Sequence, residues 1–401
     1  MVSELAHTFD VIVLGAGLAG AGVSAALGRM GLRIAVVDAH AVHPPEFRAE
    51  KLGRAELALF DRFGLGEAAR SAATPLGAVW LAHFGRLRSV CANDEYGFAY
   101  ATLINALRAA LPPTVTQFVG RVSAVETGRD RQTVSLKDGR RITARLVVVA
   151  TGLGDAVRRM LGVRTICDRT AFSLSLGITM RAPASSFRFN HLVYHGERAA
   201  DRVAYLTLFR IGGTMRGNLF AYRTLDDPWT AEFRRDPEAG LRTTLRRLDT
   251  FCGDLSLAGK PEIRPIDLVR IEDHRRDGVV FVGDAFRTTC PVAGTGMMKA
   301  LTDVDRLAAH VPAWMESPGM EAAKIASYYD DPEKTASDAQ SLAVSHHTRD
   351  FKIETRWPWS ARRIRSTVYR RTLLELRLAR QGLRSLPPRD PLFPVEAGRR
   401  C

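Results

Sequence analysis

The chain has 401 residues, too many for one small domain, and 46% of them are hydrophobic, which excludes an extensively disordered protein. The formal net charge is +14, and much of it falls in residues 351–401, with thirteen Lys and Arg against four Asp and Glu. Residues 1–10 hold no Lys or Arg, so the basic start of a signal peptide is absent. We therefore expect a cytoplasmic protein of two or more lobes.

The first forty residues predict a strand, a glycine-rich turn, a helix and a second strand. Residues 9–14 are a short apolar run rich in β-branched side chains, 18–30 are rich in alanine, and 33–38 are a second apolar run. Strand, helix and strand within about thirty residues form the repeating unit of a parallel sheet.

The turn between the first strand and the helix has the spacing Gly15-x-Gly17-x-x-Gly20. The first glycine permits a tight turn, the second lets the backbone approach a pyrophosphate, and the third lets the helix pack against the strand. Asp38 ends the second strand, where a carboxylate can accept hydrogen bonds from ribose hydroxyls. Together these residues predict a dinucleotide site, without distinguishing FAD from NAD.

The middle of the chain combines helical and β-rich segments. Residues 171–223 contain long runs of mixed alternation, which favour an antiparallel sheet with one covered face. The other elements expected here are a helix over 46–71 broken at Gly64, a helix over 101–111, strands in 114–126, 133–136 and 144–150, and helix over 228–252.

A second motif follows an apolar strand at residues 279–282. The strand delivers Gly283-Asp284 to its C-terminal end, the ligand side of an open α/β sheet, where a carboxylate can bind polyol hydroxyls. Pro291 stiffens the next loop, and Gly294-Thr295-Gly296 opens a helix expected to reach about residue 310. The amides at that helix start are suited to stabilising negative charge on a reduced flavin ring.

The two motifs together resemble the FAD-binding motifs of the para-hydroxybenzoate hydroxylase-like flavoprotein monooxygenases. The resemblance implies non-covalent FAD, with Asp284 on its ribityl chain, Pro291 against the flavin, and the backbone of Gly296 and Met297 at the pyrimidine edge. Arg48 stands where the family often has an FAD-contacting arginine. The cofactor-binding candidates are Gly15, Gly17, Leu18, Ala19, Gly20, Asp38, Arg48, Val122, Thr151, Gly152, Gly283, Asp284, Pro291, Gly294, Thr295, Gly296 and Met297.

The sequence departs from the family pattern at three places. The family's middle motif usually reads Asp-Gly and is tied to FAD and NAD(P)H, whereas the strand at 144–150 runs into Thr151-Gly152 here. The missing Asp leaves NAD(P)H open as the reductant. Tyr100 stands where a flavin-contacting arginine is frequent, and Asp38 where Glu is common, but neither change argues against FAD.

The order of the elements predicts an α/β protein with an α+β insert. A Rossmann-like FAD-binding domain is built from discontinuous segments, an antiparallel β-sheet substrate domain is inserted into it, and a helical region follows. We expect the FAD-binding domain over 1–75, 98–170 and 265–320, the substrate domain over 76–97 and 171–264, and the C-terminal helical region with its basic tail over 321–401, mostly helical to 386.

The family resemblance implies an FAD-dependent monooxygenase. It would use O2 to hydroxylate or epoxidise a small organic substrate, aromatic or polycyclic, through a flavin C4a-hydroperoxide. The substrate is expected between the FAD domain and the 171–223 sheet. The candidate lining residues are His191, Tyr205, Phe209, Arg210 and Tyr222.

Two other functions stay open at this point. One is an isoprenoid-lipid reductase or desaturase of the geranylgeranyl reductase type, and the other is a non-catalytic flavin-binding accessory protein. The basic C-terminus suits an anionic membrane or an acidic partner, although a helix with a solvated basic face explains it more simply. No specific nucleic-acid motif occurs. No metal site is predicted, since His191 and His195 have no third ligand nearby in sequence.

Overall fold

The computed structural model describes residues 8–48, 50–363 and 365. These residues divide into two compact units. The first comprises the described residues up to 74, with 96–170 and 266–344, and the second comprises 75–95, 171–265 and the described residues from 345 onward. The helical region expected over 321–386 is confirmed where it is described, at 322–329 and 332–353. Its part beyond residue 365 and most of the basic tail lie outside the described residues.

The strands are short in the first unit and longer in the second. In chain order they are β1 (Thr8–Leu14), β2 (Ile34–Asp38), β3 (Lys51–Leu52), β4 (Thr74–Pro75), β5 (Ala78–His83), β6 (Arg86–Ala92), β7 (Tyr96–Gly97), β8 (Val115–Val119), β9 (Val122–Glu126), β10 (Gln132–Leu136), β11 (Arg141–Val149), β12 (Thr165–Pro183), β13 (His191–His195), β14 (Val203–Ile211), β15 (Thr214–Ala221), β16 (Glu262–Ile271) and β17 (Val279–Phe281).

The described helices precede, separate and follow the strands. They are α1 (Leu18–Arg29), α2 (Arg54–Arg62), α3 (Gly66–Ser71), α4 (Tyr100–Ala109), α5 (Ala156–Met160), α6 (Pro228–Arg235), α7 (Pro237–Thr244), α8 (Asp249–Cys252), α9 (Gly296–Met315), α10 (Ala322–Tyr329) and α11 (Pro332–Ile353). None of the helices in the described ranges is long and apolar enough to cross a membrane.

The sheet of the first unit has the strand order β8-β2-β1-β11-β10-β9, and β17 pairs with β11. β1 is parallel to both β2 and β11, and β11 is parallel to β17. The register places Leu14 opposite Val149 and Val149 opposite Phe281. Since parallel strands end at one edge, the segments that follow β1, β11 and β17 meet there. The predicted Rossmann-like parallel sheet is confirmed.

The helix expected over 46–71 is wrong in its first part. The chain forms β3 there, with Lys51 opposite Gly97, and α2 begins only after Gly53, whose amide donates to Glu56 Oε2 over 3.1 Å. Arg48 therefore lies in an irregular segment and not in a helix. The predicted break is confirmed, because Gly64 has a φ of +74° between α2 and α3.

The second large sheet has the order β16-β12-β15-β14-β13-β5-β6. Its β12–β15, β14–β15 and β13–β14 pairs are antiparallel, as predicted, while β13 runs parallel to β5. One face carries leucines such as Leu206 and Leu208, which form a core with Phe233 and Leu241 of α6 and α7. Sequence analysis did not identify β5, β6 or β16, because their burial alternates too weakly to mark one covered face.

Candidate functional site

The glycine-rich turn after β1 leaves no room for side chains at two positions. Gly15 has a φ of +96°, and a Cβ there would lie 2.6 Å from the Ala150 carbonyl oxygen that follows β11. A Cβ on Gly20 would lie 1.8 Å from the Gly15 carbonyl oxygen. The turn therefore brings backbone close to backbone, the cradle that a pyrophosphate-binding loop requires.

Asp38, at the end of β2, holds the turn in place. Its Oδ2 accepts a hydrogen bond from the Ala16 amide over 2.8 Å, and its Oδ1 accepts one from the His40 amide over 2.9 Å. Arg108 of α4 is buried and lies 2.9 Å from Asp38 Oδ2, while its Nε donates to the Ala16 carbonyl over 2.8 Å. Sequence analysis missed Arg108, because an arginine on an apolar helix face carries no motif.

The Gly283-Asp284 segment after β17 meets the N-terminal motif. A Cβ on Gly283 would lie 3.3 Å from Ala19 Cβ, at the start of α1. Asp284 Oδ2 accepts a hydrogen bond from Arg48 Nη1 over 3.2 Å, although 236 residues separate them. The Asp284 side chain stays 35% exposed, so its carboxylate is accessible to the hydroxyls of a ligand.

Arg48 lies beside both the Gly283-Asp284 segment and Gly152. Its Nε donates to Glu46 Oε1 over 2.8 Å, and a Cβ on Gly152 would lie 3.7 Å from its Nη2. Burial disfavours the charged form of Arg48, but the hydrogen bond to Glu46 and the charge of Asp284 outweigh burial and raise the pKa of the guanidinium. Arg48 therefore stays cationic beside Gly152 and Asp284.

Tyr100 occupies the place where the family often has an arginine. Its hydroxyl would lie 3.8 Å from a Cβ on Gly17 and interacts with the Leu18 backbone, at the start of α1. Burial raises the pKa of Tyr100 to about 12, so the side chain is a neutral phenol at neutral pH. The position supplies a polar contact at the helix start without supplying a charge.

The loop from Pro291 to Met297 leads into α9, where Ala300 Cβ would lie 3.6 Å from a Cβ on Gly283. Gly294 has a φ of +69° and follows a short 3-10 turn, and α9 then begins at Gly296. Thr295 is tied to α11, since Ser341 Oγ donates to Thr295 Oγ1 over 2.6 Å. Met297 is buried in the core of the first unit.

Two cofactor candidates, Thr151 and Val122, lie near the ends of strands but make fewer contacts with the other candidates. Thr151 follows β11, and its hydroxyl donates to the Gly154 carbonyl over 3.2 Å. Val122 begins β9, two residues after Gly120, whose amide donates to the Asp38 carbonyl oxygen over 2.8 Å. Both lie near strand ends, but neither side chain makes a described contact with Arg48 or Asp284.

Four buried charged side chains on α9 and α11 support the Gly283-Asp284 segment. Lys299 and Asp303 of α9 form a closed ring with Lys334 and Asp338 of α11, with nitrogen–oxygen distances between 2.8 and 3.2 Å. Asp303 Oδ2 also accepts a hydrogen bond from the Gly283 amide over 2.8 Å. The charge ring thereby positions the Gly283-Asp284 segment.

Three of the five substrate candidates lie on one face of the second sheet. His191 is opposite Phe209, and Tyr205 is opposite His195, across the β13–β14 pair. This face is opposite the leucine core described above, because side chains alternate along each strand. Arg210 lies on the other face and is exposed, with its Nε bonded to the Gly212 carbonyl.

The fifth candidate, Tyr222, lies beyond the end of β15. It packs edge-on against Phe172 with ring centroids 6.2 Å apart, and the Arg349 guanidinium lies 5.9 Å from its ring. The structure thus groups His191, Tyr205 and Phe209 on one face and places Arg210 on the opposite face.

The same face carries polar residues that sequence analysis missed. His191 Nε2 lies 3.1 Å from Thr207 Oγ1, and His191 Nδ1 lies 3.3 Å from Glu95 Oε2. Thr207 is directly opposite Asn218 on β15. Asn218 Oδ1 and Ser175 Oγ are buried and have no hydrogen-bond partner among the described residues. Such atoms cost free energy when they stay unsatisfied, which favours a ligand on this face.

The residues at the edge of the first sheet fit FAD. A cradle at Gly15 and Gly20, a carboxylate at Asp38 and an accessible carboxylate at Asp284 match a dinucleotide with a polyol chain. Fold and site together define a dinucleotide-binding flavoprotein. The family profile described as FAD binding domain matches residues 8–322, so the chain belongs to that family, and FAD is its cofactor.

Two curated relatives from Streptomyces platensis carry the name 3-amino-4-hydroxybenzoate 2-monooxygenase. PtnB3 is 29% identical over 213 residues, which cover 50% of this chain and 48% of that protein. PtmB3 is 29% identical over 208 residues, which cover 49% of this chain and 48% of that protein. The chain spans about half the length of these relatives.

Solved structures share the fold over most of the chain. The p-nitrophenol 4-monooxygenase PnpA from Pseudomonas putida DLL-E4 has a TM-score of 0.72 at 19% identity, covering 94% of this chain and 100% of that one. HpxO from Klebsiella pneumoniae, complexed with FAD, has a TM-score of 0.69 at 18% identity, covering 92% and 94%. At these identities the likeness concerns the fold alone.

Proposed function

We propose that this protein is an FAD-dependent monooxygenase that hydroxylates a small aromatic substrate. The observation that carries the proposal is the buried polar face of the second sheet. There Asn218 Oδ1 and Ser175 Oγ, beside His191 and Thr207, have no hydrogen-bond partner in the part of the chain that the structure describes. The relatives named for 3-amino-4-hydroxybenzoate and p-nitrophenol support an aromatic substrate with polar substituents.

The cofactor would be held by the first unit. The amides of the Gly15–Gly20 turn would bind the pyrophosphate, Asp38 the ribose, and Asp284 with Arg48 the polyol chain. When bound and reduced, FAD activates O2 and supplies one oxygen atom to the substrate. In balance, a C–H bond, O2, two electrons and two protons yield C–OH and water.

His191 is suited to holding a proton from the substrate. Because the Glu95 carboxylate can only accept, we assign the His191 proton to Nδ1, which leaves Nε2 to accept from the Thr207 hydroxyl. A phenolic hydroxyl that donates to Thr207 Oγ1 could then pass its proton through Thr207 to His191 Nε2. Loss of that proton makes the ring more electron-rich, and such rings accept an electrophilic oxygen more readily.

The reductant is a separate part of the proposal. Thr151 stands in place of the family's Asp, so we propose that electrons come either from NAD(P)H or from a separate reductase. Mixing the holoprotein anaerobically with NADH or NADPH, with and without an aminohydroxybenzoate or a nitrophenol, and following flavin bleaching near 450 nm distinguishes the two.

The decisive experiment uses labelled oxygen. The dithionite-reduced holoprotein is mixed with substrate and ¹⁸O2, and the product is analysed by mass spectrometry. We expect one ¹⁸O atom per product, and His191→Gln should lower the rate of hydroxylation about a hundredfold without changing FAD content. Arg210→Gln, on the opposite face, is the control and should leave the rate unchanged.

Other results would contradict the proposal. If the reduced flavin only reduces O2 to hydrogen peroxide in the presence of the aminohydroxybenzoate and the nitrophenol, hydroxylation of such substrates is not the function. Reduction of an isoprenoid double bond by the same reduced protein would favour the reductase alternative. A bound metabolite that is released unchanged would favour the accessory protein.

A further inference from the structure

A cavity of about 380 Å³ lies in the second unit, away from the polar face described above. Its walls are five arginines, Glu197 and Phe84, and the arginines are Arg86, Arg88, Arg198, Arg246 and Arg247. The volume falls in the range of small-molecule sites. Neither the sequence motifs nor the proposed chemistry uses any of these residues.

Three segments build this arginine cavity. The β5–β6 turn contributes Phe84, and β6 contributes Arg86 and Arg88. The loop after β13 contributes Arg198, and the loop between α7 and α8 contributes Arg246 and Arg247.

A buried tyrosine fixes these segments to one another. Tyr194 Oη accepts a hydrogen bond from the Gly85 amide over 2.8 Å and donates one to Glu197 Oε1 over 2.8 Å. Gly85 also packs closely on Arg247, since a Cβ on Gly85 would lie 2.7 Å from Arg247 Cβ. The arginines are therefore attached to a preorganised frame, which reduces the entropy that binding costs.

The charge of the cavity is unbalanced. Among the described residues of its lining, Glu197 is the one carboxylate, and it accepts a hydrogen bond from Tyr194. Within the described part of the chain, no carboxylate forms a salt bridge with Arg86, Arg198, Arg246 or Arg247. Burial lowers the pKa of neighbouring His83, and the charge of Arg88 lowers it further. The cavity thus presents an excess of positive charge to a ligand.

Phe84 adds an aromatic surface to the positive charge. It is 38% exposed and has a φ of +53°, a left-handed conformation that bulky residues seldom adopt. Guanidinium groups match phosphate oxygens in pairs, and an exposed aromatic ring offers stacking for a planar base.

We propose that the arginine cavity binds an organic diphosphate that carries a planar ring, of the nucleoside diphosphate class. The pyrophosphate group binds the arginines, and the ring stacks on Phe84. The diphosphate could belong to a nicotinamide nucleotide or to a free nucleotide, because both present the same groups. The proposal is independent of the monooxygenase function, since binding is measured without turnover.

The test is calorimetric titration of the FAD-loaded protein at fixed ionic strength. ADP is the first probe, and we expect saturable binding at one site. R246Q/R247Q should weaken ADP binding at least about tenfold. The matched control is R234Q/R235Q, which removes two exposed arginines of α6 outside the cavity and should change the affinity less than about twofold.

A second variant separates stacking from charge. Phe84→Ser should weaken ADP about fivefold and leave inorganic pyrophosphate within about twofold. Melting temperatures of all variants, measured in parallel, verify that each one folds. NADP+, which cannot reduce the flavin, separates the two sources. NADP+ binding that is tighter than ADP binding and is weakened by R246Q/R247Q identifies the nicotinamide nucleotide, and equal or weaker binding at the cavity identifies a free nucleotide.

Three results would overturn the proposal. They are no saturable ADP binding, equal weakening by the cavity variant and the control, or binding that appears only with RNA and strengthens with its length. The second result would mean that only net charge attracts anions, and the third that the surface takes a macromolecule.

Discussion

At the scale of single residues, the cofactor turn depends on positions that cannot carry a side chain. Gly20 is the most constrained of them, since its Cβ would overlap the Gly15 carbonyl oxygen at 1.8 Å. The Gly15 carbonyl belongs to the backbone, and a Cβ on residue 20 would be fixed to it, so neither atom can rotate away. The turn must therefore change shape to admit any larger residue, and the proposed pyrophosphate cradle would change with it.

Gly20→Ala should accordingly yield protein that has lost FAD. We expect the FAD dissociation constant to rise at least about a hundredfold, equal to roughly 3 kcal/mol of binding free energy. Fluorescence titration of the apoprotein with FAD measures it. Gly259→Ala is the control, because Gly259 has open space around it. Unchanged FAD affinity in Gly20→Ala would show that the turn does not bind the cofactor.

Asp331 is a second residue whose single side chain affects stability, through hydrogen bonds at the start of α11 and two charged neighbours. Its Oδ1 accepts the amides of Glu333 and Lys334 at the start of α11, and its Oδ2 lies 3.0 Å from both Arg306 and His310. Burial alone would raise the pKa of Asp331, but the Lys334 amide, Arg306 and His310 lower it to about 2. The folded state thus favours the charged carboxylate.

Asp331→Asn keeps an acceptor for the helix amides and removes the charge. The folded-state pKa is lowered, so the charge stabilises the protein above about pH 4, and this contribution disappears as the pH falls through about 2. We expect the variant to lose about 2 kcal/mol of unfolding free energy at pH 7 and progressively less below pH 4. Urea unfolding at several pH values checks this.

The neighbouring residue supplies the control for Asp331. Asp330 pairs with Arg275 at the surface, and its side chain is 62% exposed. Asp330→Asn should leave stability almost unchanged at every pH. A constant difference between wild type and Asp331→Asn from pH 7 to pH 2 would contradict the assigned charge effect.

At the scale of elements, α9 and α11 are joined by the ring of Lys299, Asp303, Lys334 and Asp338. Each lysine lies between two carboxylates, and burial would disfavour Lys299 as a cation, yet Asp303 and Asp338 keep its pKa raised. The ring is neutral as a whole. Removing one of the four side chains leaves an unpaired buried charge. Removing one lysine together with one aspartate does not.

Lys299→Met should therefore destabilise the protein by about 3–5 kcal/mol. The double variant Lys299→Met with Asp338→Asn leaves Lys334 and Asp303 as a neutral pair, and we expect it to be less destabilised than the sum of the two single variants. Urea unfolding of all four proteins gives the coupling energy. Strictly additive effects would mean that the four charges do not act as one network.

At the scale of the whole molecule, FAD binding is linked to folding. The segments that we propose to contact FAD, near residues 15, 48, 152 and 284, lie close together only in the folded chain. FAD at a hundred times its dissociation constant should then stabilise the protein by about 2.7 kcal/mol. Thermal unfolding of the apoprotein with increasing FAD measures this, and riboflavin, which lacks the pyrophosphate, should stabilise it much less.

Much of the first unit could be predicted from local sequence. Apolar runs such as 9–14 and 144–150 and the spacing of Gly15, Gly17 and Gly20 mark a parallel sheet with its turn, since each signal lies within a few consecutive residues. The start of α2 was placed too early, because the pairing of Lys51 with Gly97 comes from a distant segment. The intrinsic helix or strand preferences of residues near 51 carry no information about a pairing partner so far along the chain.

The sequence by itself determined the class of this protein. The evidence for the class lies in short-range spacing that can be read directly from the sequence: the first strand, the glycine-rich turn, Asp38 and the Gly283-Asp284 segment. Only the tertiary structure decided which side chains meet: Arg48 with Asp284, Arg108 with Asp38, and Thr207 and Glu95 with His191. These contacts join residues far apart in the chain, and strand register, which no local pattern records, decides which of them share a face.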